Sequence, residues 1–396
     1  MWTILAIFFL QFADKVGAER VCLSETAIEK REARGIAIDL LDYEVSPVYL
    51  DSVRSIGAKV IHTSRWINGA TVEANDEAIR AIEKCGFVDT IYLTRMEPTE
   101  QAFDIPSISL RKRIIAEDTL PDAPLPVASI EQLDQLNLLP LHQAGYKGKG
   151  IRIGIADGGF YNADSLAVLP QKQWLGYADF TDDEDDFFGS TGNHGTLCLT
   201  AIIAETADYQ GTATEAEYFL FRTEEHSTEN PKEIDNWVAA IEMADSLGLD
   251  IVSTSLGYTT FDDESFNFAY ADMDGRSSRG AQAAIIAARK GMLLIVAVGN
   301  DGNKAWHYLS TPADADSILT VGAVDIDRAI ANFSSFGPSA DGRIKPEICA
   351  VGKQTILLNP SNDEIMKGNG TSFACPLVAG MAACLWSALP HASNME

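Results

Sequence analysis

The sequence is poor in cations, with 30 lysines and arginines against 57 aspartates and glutamates among 396 residues. Because proteins bind nucleic acid mainly through cationic contacts to phosphate, no nucleic-acid partner is predicted. Long apolar runs are also lacking: no internal run reaches the roughly 18 residues that a membrane-spanning helix needs, so no stable membrane anchor is predicted. The six cysteines include no C-x-x-C pair, so the spacing typical of a zinc site is absent from the sequence. Their number alone does not determine which of them form disulfides. The 46% of apolar residues is ordinary for a globular chain with room for one large domain and one small one.

The first residues form a short apolar stretch, residues 2–11, followed by small residues up to Ala18. This pattern is typical of a signal peptide and predicts one over residues 1–18, with a secreted or extracytoplasmic location. No lysine or arginine precedes the stretch, and the alternative is a buried first strand or helix of the next domain.

Residues 19–95 alternate short strands and helices. Ser46 is a candidate N-cap for the first of two amphipathic helices, and the order of elements fits a small ferredoxin-like α+β unit. Residues 96–127 are rich in proline and charge, which predicts an extended linker. The linker contains Arg111-Lys112-Arg113, either a processing site or simply a solvated basic triplet. The predicted helices cover residues 47–56 and 76–84, and the predicted strands cover residues 59–63, 69–73 and 87–93.

From residue 128 to 396 the chain alternates short apolar runs with helical segments, a pattern that predicts a parallel sheet covered on both faces. In such α/β sheets, sites form where strands end and helices begin. The predicted strands cover residues 151–155, 217–221, 250–254, 293–297 and 318–322, with helices between them at residues 231–247 and 280–290.

Two polar residues lie at such ends. Asp157 follows the first of these strands and precedes Gly158, so its carboxylate is placed for a cleft. His194 begins an apolar helix, and Gly195 lets another segment of backbone approach the imidazole. Each residue alone has a plain structural interpretation, as a turn aspartate and a structural histidine.

Two more residues follow the same rule. Ser372 is delivered by a glycine-flanked loop to the first turn of a long apolar helix, whose N–H groups favour a developing negative charge. Asn300 ends a buried strand, from which its amide can donate a hydrogen bond to a reacting carbonyl oxygen. Taken alone, Ser372 also fits a helix cap, and Asn300 also fits an Asx turn.

Together, Asp, His, Asn and Ser in this order, each at an element end, resemble the subtilisin family of serine proteases, whose triad follows the chain order Asp, His, Ser. The resemblance covers residues 128–396, and its most specific block is Gly370-Thr371-Ser372. The matching blocks are residues 151–159, His194-Gly195-Thr196, Ser255-Leu256-Gly257, Gly299-Asn300 and residues 370–376.

The resemblance implies a doubly wound, mostly parallel α/β sheet flanked by helices, and a serine endopeptidase with Asp157, His194 and Ser372 as its triad. Asn300 is then the oxyanion-hole donor. The region of residues 19–95 is similar to the family's prodomain, which implies a zymogen with its own prodomain and protein or peptide substrates as partners. The resemblance also assigns substrate backbone pairing to Ser255, Leu256 and Gly257, and a pocket wall to Ala297, Val298 and Gly299, whose small, apolar lining suggests an apolar or medium-sized side chain before the cut.

Two departures from the family pattern are Gly158, where the family often has Ser or Thr, and Leu197, where it often has a second histidine. No cofactor is predicted to be required and no metal ligand is assigned. The acidic run of residues 179–186 is either a solvated loop or a Ca²⁺ site. Cys349 and Cys375 are the favoured disulfide pair in the family's arrangement. Because family members continue further past the serine helix, residues 128–396 are interpreted as a C-terminally truncated peptidase domain.

Two other functions remain open from the sequence. One is a non-catalytic scaffold with the subtilisin fold, although Asp157, His194, Asn300 and Ser372 are all retained. The other is a precursor whose stable form is the inactive, prodomain-blocked state.

Overall fold

A computed structural model describes residues 5–96, 128–181, 186–189, 192–226 and 228–396. The N-terminal unit (residues 5–96) and the large domain (residues 128–396) are separated by residues 97–127. The predicted linker and its basic triplet therefore lie outside the described residues. The N-terminal unit consists of β1 (Leu5–Phe12), α1 (Glu25–Ala33), α2 (Pro47–Ile56), β2 (Lys59–Ser64), β3 (Gly69–Asn75), α3 (Asp76–Ile82) and β4 (Val88–Met96).

The N-terminal unit has a ferredoxin-like four-stranded antiparallel sheet in the order β2-β3-β1-β4, but its strand β1 lies outside the predicted range of residues 19–95. Its helix α2 begins where the sequence predicts: the Ser46 hydroxyl accepts a hydrogen bond from the Tyr49 N–H (3.3 Å). Gly57 ends the helix with φ 106°, a left-handed conformation that suits glycine.

The prediction of a signal peptide over residues 1–18 is contradicted by β1, which pairs with β3 on one side and β4 on the other. The alternative, a buried first strand, is what the structure shows. Leu10 and Phe12 pack into the unit's own core, while Phe9 packs into a core shared with the large domain. A strand covered on both faces is apolar at nearly every position, which is why it resembles the apolar segment of a signal peptide.

The large domain contains a seven-stranded parallel sheet in the order β11-β10-β9-β8-β5-β7-β6, with a two-stranded antiparallel sheet, β12-β13, beside it. This confirms the predicted α/β class. The elements of this domain are α4 (Ile130–Gln135), α5 (Leu139–Gln143), β5 (Arg152–Asp157), β6 (Trp174–Asp179), α6 (His194–Ile203), β7 (Glu217–Arg222), α7 (Lys232–Leu247), β8 (Ile251–Thr254), α8 (Arg279–Arg289), β9 (Leu293–Ala297), β10 (Leu319–Val324), β11 (Ile348–Val351), β12 (Lys353–Leu358), β13 (Ile365–Asn369) and α9 (Thr371–Ala388).

Helices cover both faces of the parallel sheet. Ile153 and Ile155 of β5 belong to the core that contains α6 and α9, whereas Val252 of β8 and Leu294 of β9 belong to the core that contains α7 and α8. Strand order reverses between β8 and β5, so the crevice at the carboxyl ends of these two strands is the expected place for a site.

Helix α9 is the central helix of the large domain. Gly380 is required at its contact with the neighbouring loop, since a Cβ there would lie 1.8 Å from the Thr212 hydroxyl oxygen. Within the described part of the chain α9 is also the helix long and apolar enough to cross a membrane (mean hydropathy 1.4), but 72% of it is buried inside the protein, as in a core helix.

The sheet of the N-terminal unit packs against α7 and α8. Phe9, Trp66 and Ile67 share a core with Trp237 of α7, and the Arg279 guanidinium lies 4.8 Å from the centre of the Phe9 ring. Apolar packing of this kind stabilises the contact between the two parts.

All six cysteines are free, so the proposed Cys349–Cys375 disulfide is wrong. Cys349 is exposed on β11, whereas Cys375 is buried in α9, with its thiol 3.2 Å from the Ile295 carbonyl oxygen. Cys349 and Cys375 are both near Ser372 in the family's arrangement, but their side chains do not point toward each other.

Candidate active site

Asp157 and His194 form a direct pair at the end of β5. The His194 Nδ1 lies 2.9 Å from each carboxylate oxygen of the buried Asp157, and the Gly158 N–H donates a further hydrogen bond to that carboxylate (2.8 Å). Gly195 allows this contact, because a Cβ there would lie 2.6 Å from the Gly159 carbonyl oxygen. Helix α6 therefore begins directly against the end of β5.

The electrostatics of the pair favour a positively charged imidazole. Burial lowers the pKa of His194, but the adjacent Asp157 carboxylate outweighs it, so the pKa is raised well above its ordinary value. The side chain is 42% exposed, which reduces the effect of burial and leaves the carboxylate as the controlling neighbour.

Ser372 lies in the first turn of α9, next to this pair. Its hydroxyl donates a hydrogen bond to the Ser255 carbonyl (3.3 Å), and its own carbonyl accepts hydrogen bonds from the Ser255 hydroxyl (2.8 Å) and the Cys198 thiol (3.4 Å). Cys198 also lies 4.0 Å from the His194 Nδ1, so α6, α9 and the end of β8 meet at this point. The 18-residue helix α9 directs its unpaired N–H groups here.

Asn300 follows β9 at the same edge of the sheet. Its side-chain oxygen accepts hydrogen bonds from the Thr371 N–H (2.8 Å) and the Thr371 hydroxyl (3.1 Å). Because these donors fix which end of the amide is the oxygen, the exposed NH₂ group is directed into the cleft.

Ser372 and Asn300 line a cleft of about 320 Å³, and the Asp157–His194 pair adjoins Ser372 through Cys198. Ser255, Leu256 and Gly257 line the cleft, as do Ala297 and Gly299, in the places that the sequence predicted. Val298 is the exception: its side chain is fully buried and does not line the cleft.

The sequence analysis missed several residues that line the cleft. Three are acidic, Glu224, Glu229 and Asp301, and Asp301 pairs with Lys304 (2.6 Å). Glu224 lies two residues beyond the end of β7, so the rule that sites form at strand ends could have found it. The other missed residues include Tyr308, Ser310 and Ser335, which belong to loops without a sequence pattern.

The acidic run of residues 179–186 is described only in part. Asp179 pairs with Arg222 (2.7 Å), and residues 182–185 lie outside the described ranges. The Ca²⁺ interpretation stays a prediction.

Two family models match the chain. The Subtilase family model matches residues 148–396, and a model of the Bacteroidota peptidase S8 propeptide domain matches residues 8–105, a range that includes most of β1. Among curated relatives, subtilisin DY of Bacillus licheniformis is 30% identical over 64% of this chain and 82% of that protein. Serine protease AprX of Bacillus subtilis is 27% identical over 63% of this chain and 60% of that protein. Subtilisin-like protease SBT6.1 of Arabidopsis thaliana is 27% identical over 65% of this chain but only 23% of its own length, so the chain spans about a quarter of that relative.

Proposed function

The chain belongs to the subtilase family of serine proteases, and we propose that it is a serine endopeptidase made as a zymogen. The observation that carries the proposal is the arrangement of four side chains: the Asp157–His194 pair adjoins Ser372 through the Cys198 thiol, and Ser372 and Asn300 line one cleft. A nucleophile, a base held by a carboxylate, and a donor for the oxyanion are the parts that acyl transfer needs.

Asp157 determines which nitrogen of His194 acts as the base. Its carboxylate engages Nδ1, which leaves Nε2 to accept the proton of Ser372. As this proton moves, the serine oxygen bonds to the peptide carbonyl carbon and the carbonyl oxygen becomes negative. The imidazolium formed is stabilised by the same carboxylate that raises the pKa of His194. His194 then returns the proton to the leaving amine as the C–N bond breaks, and one water molecule hydrolyses the acyl-enzyme by the same path.

The negative oxygen is stabilised by groups already in position. The N-terminal turn of α9 offers N–H groups, and Asn300 offers an NH₂ fixed by Thr371. In the resting arrangement the Ser372 hydroxyl donates to the Ser255 carbonyl, so it rotates toward the imidazole when substrate binds. Long catalytic hydrogen bonds in a ligand-free site are common and tighten with substrate.

The N-terminal unit supports the zymogen part of the proposal. It is matched by a propeptide model and docks on α7 and α8 with a buried apolar contact. We propose that this unit inhibits the large domain in cis until the segment between them is cut.

Secretion is proposed on this zymogen arrangement alone, because β1 contradicts the signal peptide. The curated relatives include the major intracellular serine protease of Bacillus subtilis, so membership of the family does not decide location. Fractionation of cells that express the full chain tests secretion: protein found only inside the cells contradicts it.

The function is tested by hydrolysis of casein and of fluorogenic peptides, before and after limited proteolysis of the chain. We expect activity in the parent protein to rise after proteolysis. Loss of the nucleophile in Ser372→Ala should reduce turnover by about 10⁴-fold or more, because only binding and oxyanion stabilisation remain. No hydrolysis in either state would favour a scaffold, and near-parental turnover by Ser372→Ala would show that another group is the nucleophile.

A further inference from the structure

Helix α1 is an addition to the ferredoxin-like plan of the N-terminal unit. In that plan one helix connects the first two strands and another connects the last two, which are the positions of α2 and α3. Residues 13–46, between β1 and α2, form an additional segment that contains α1, and we call it the inserted segment. The core of the unit is formed mainly by side chains from β1, α2, β3 and α3, whereas α1 lies against α7. Helix α1 therefore has its packing partner in the large domain.

The backbones of the two parts approach closely where α7 ends. The Ser24 N–H donates a hydrogen bond to the Ser246 carbonyl (2.8 Å). Gly248, with φ 73°, ends α7, and a Cβ there would lie 3.0 Å from the Ala27 nitrogen. A larger residue at position 248 would push α1 away, so this glycine permits the contact.

Asp250 is the centre of the charged part of this contact. It directly precedes β8, its side chain is buried, and its carboxylate oxygens lie 2.5 Å from the Lys30 Nζ and 2.5 Å from an Arg34 guanidinium nitrogen. The same carboxylate accepts a hydrogen bond from the Arg152 N–H at the start of β5 (2.9 Å). Both cations belong to the inserted segment, so of these three donors the large domain itself supplies only the neutral one. Charge-assisted hydrogen bonds of this kind are stronger than neutral ones.

Opposite charges also cross the contact in the other direction. Lys290, at the end of α8, pairs with Asp42 of the inserted segment (2.7 Å), and both side chains are buried. Arg31 of α1 lies between Asp42 (3.3 Å) and Asp245 of α7 (2.6 Å). Complementary charges of both signs at fixed positions favour one partner segment over other basic or acidic segments.

The contact lies at the edge of the parallel sheet opposite the cleft. Asp250 and Gly291 precede β8 and β9, whereas Ser255 and Asn300 follow the same two strands. The Arg34 guanidinium donates a hydrogen bond to the Gly291 carbonyl at this amino edge (3.0 Å). The N-terminal unit thus holds the large domain at two places, through its sheet on α7 and α8 and through the inserted segment. A partner held at two places leaves only after both contacts open, so it leaves more slowly than either contact alone would allow.

We propose that the inserted segment is a clasp that fits an acidic site formed by Asp245 and Asp250 at the amino edge of the sheet. The clasp controls how fast the N-terminal unit leaves after the chain has been cut within residues 97–127, so latency outlasts the cut. The proposal rests on the proposed zymogen function, since departure of the unit is the step that frees the cleft.

Release is measured in a Ser372→Ala chain that carries the recognition sequence of a site-specific protease within residues 97–127 and an affinity tag after Glu396. The protein is bound to a resin and cut there, and the N-terminal unit that remains on the resin is quantified over time. Because the nucleophile is absent, the measurement does not depend on proteolytic activity. We expect slow release in about 0.1 M NaCl and several-fold faster release in about 1 M NaCl, since Lys30 and Arg34 are partly exposed and salt screens such pairs.

Variants assign the slow release to the clasp. Arg34→Ala removes the ion pair with Asp250 and the hydrogen bond to the Gly291 carbonyl, and should speed release by about 10- to 100-fold, the range for loss of charge-assisted hydrogen bonds. Lys30→Ala removes the other cation and should act in the same direction. The matched control Arg54→Ala removes an exposed ion pair on α2 and should change the rate by less than about threefold. Tryptophan fluorescence of each uncut chain shows that it is folded before it is cut.

The outcomes separate the clasp from the proposed function. Release at the parent rate by both Arg34→Ala and Lys30→Ala overturns the clasp, as does immediate release of the parent unit on cutting. In the chain that keeps Ser372, we expect peptide hydrolysis to appear at the rate at which the unit leaves. Full hydrolysis while the unit is still bound overturns the control of latency by the clasp. Hydrolysis that never appears after the unit has left contradicts the proposed function instead and leaves the clasp intact.

Discussion

Helix α7 carries acidic side chains in two different environments. Near its C-terminal end, Glu242 accepts hydrogen bonds from the Ser64 hydroxyl (2.5 Å) and the Arg65 N–H (2.9 Å), and Asp245 pairs with Arg31 and Arg65 (2.6 Å each). Near its beginning, Glu233 and the cleft glutamates have only neutral donors among the described residues.

The difference lies in which molecule supplies the cation. At the docking contact the N-terminal unit supplies arginines, so the buried carboxylates are paired within the chain. No described hydrogen bond or ion pair to Glu224, Glu229 or Glu233 comes from a cation, and burial raises the pKa of all three carboxyl groups. The paired carboxylates stabilise the docking contact, whereas the three glutamates near the cleft have neutral donors only among the described residues.

The largest expected effect comes from the cleft. Asn300→Ala removes a donor that strengthens its hydrogen bond only in the transition state, so kcat should fall by about 10²–10³-fold with KM nearly unchanged. The matched control is Asn303→Ala, an exposed asparagine three residues along that does not line the cleft. Steady-state kinetics on one fluorogenic peptide measures both. A change confined to KM would make Asn300 a structural turn residue.

The docking contact should be weakened by Arg65→Ala. This variant leaves Glu242 and Asp245 buried with less positive charge, although Asp245 keeps Arg31. We expect a loss in the free energy of unfolding near the lower end of the about 3–5 kcal/mol typical of a broken buried pair.

Urea unfolding, followed by tryptophan fluorescence in a Ser372→Ala background that prevents self-digestion, measures this loss. Arg54→Ala, which removes an exposed ion pair with Asp51 on the same unit, is the control and should cost less than about 1 kcal/mol. Equal losses for both variants would show that the docking contact does not depend on the buried pair.

A smaller expected effect is the pH dependence of the docking contact. His62 of β2 contacts the Phe180 carbonyl oxygen (3.0 Å) and the Asn236 side-chain oxygen (3.1 Å), with Lys232 and Asp235 as its charged neighbours. Burial lowers its pKa, and Lys232 lowers it further, against the opposing Asp235.

A histidine with a lower pKa when docked than when free makes docking weaker as pH falls through its free pKa, about 6.5. We therefore expect docking to loosen toward pH 5 in the parent sequence and to change less in His62→Gln. The rate at which limited proteolysis cuts the N-terminal unit in the Ser372→Ala background, compared at pH 5 and pH 7.5, measures this. Identical pH dependence of the two proteins would exclude His62 as its source.

The four candidate residues could be found from the sequence because each lies where an element begins or ends, and parallel strands bring their carboxyl ends to one edge. Asp157 contacts His194, the Cys198 thiol lies against both His194 and Ser372, and Asn300 binds Thr371 beside Ser372. The wrong predictions concern packing, because the sequence does not show which segments lie against one another in the fold. The β1 segment is apolar because both of its faces are covered, and no local pattern distinguishes that from a signal peptide.

The other errors have the same origin. Val298 was assigned to the pocket wall from its neighbours, but its side chain is fully buried. The Cys349–Cys375 pair was inferred from nearness to Ser372, which does not fix the direction of a side chain. Glu229 joins the cleft through the loop before α7, whose path depends on tertiary contacts.

The central claim, that Ser372 is a nucleophile held latent by the N-terminal unit, is tested most directly by covalent labelling. The full chain and its Ser372→Ala variant are treated with a fluorophosphonate before and after limited trypsin digestion, and the labelled peptide is identified by mass spectrometry. We predict a label on Ser372 that increases after digestion and is absent from the variant. A label on another residue, or none on the parent protein in either state, would contradict the claim.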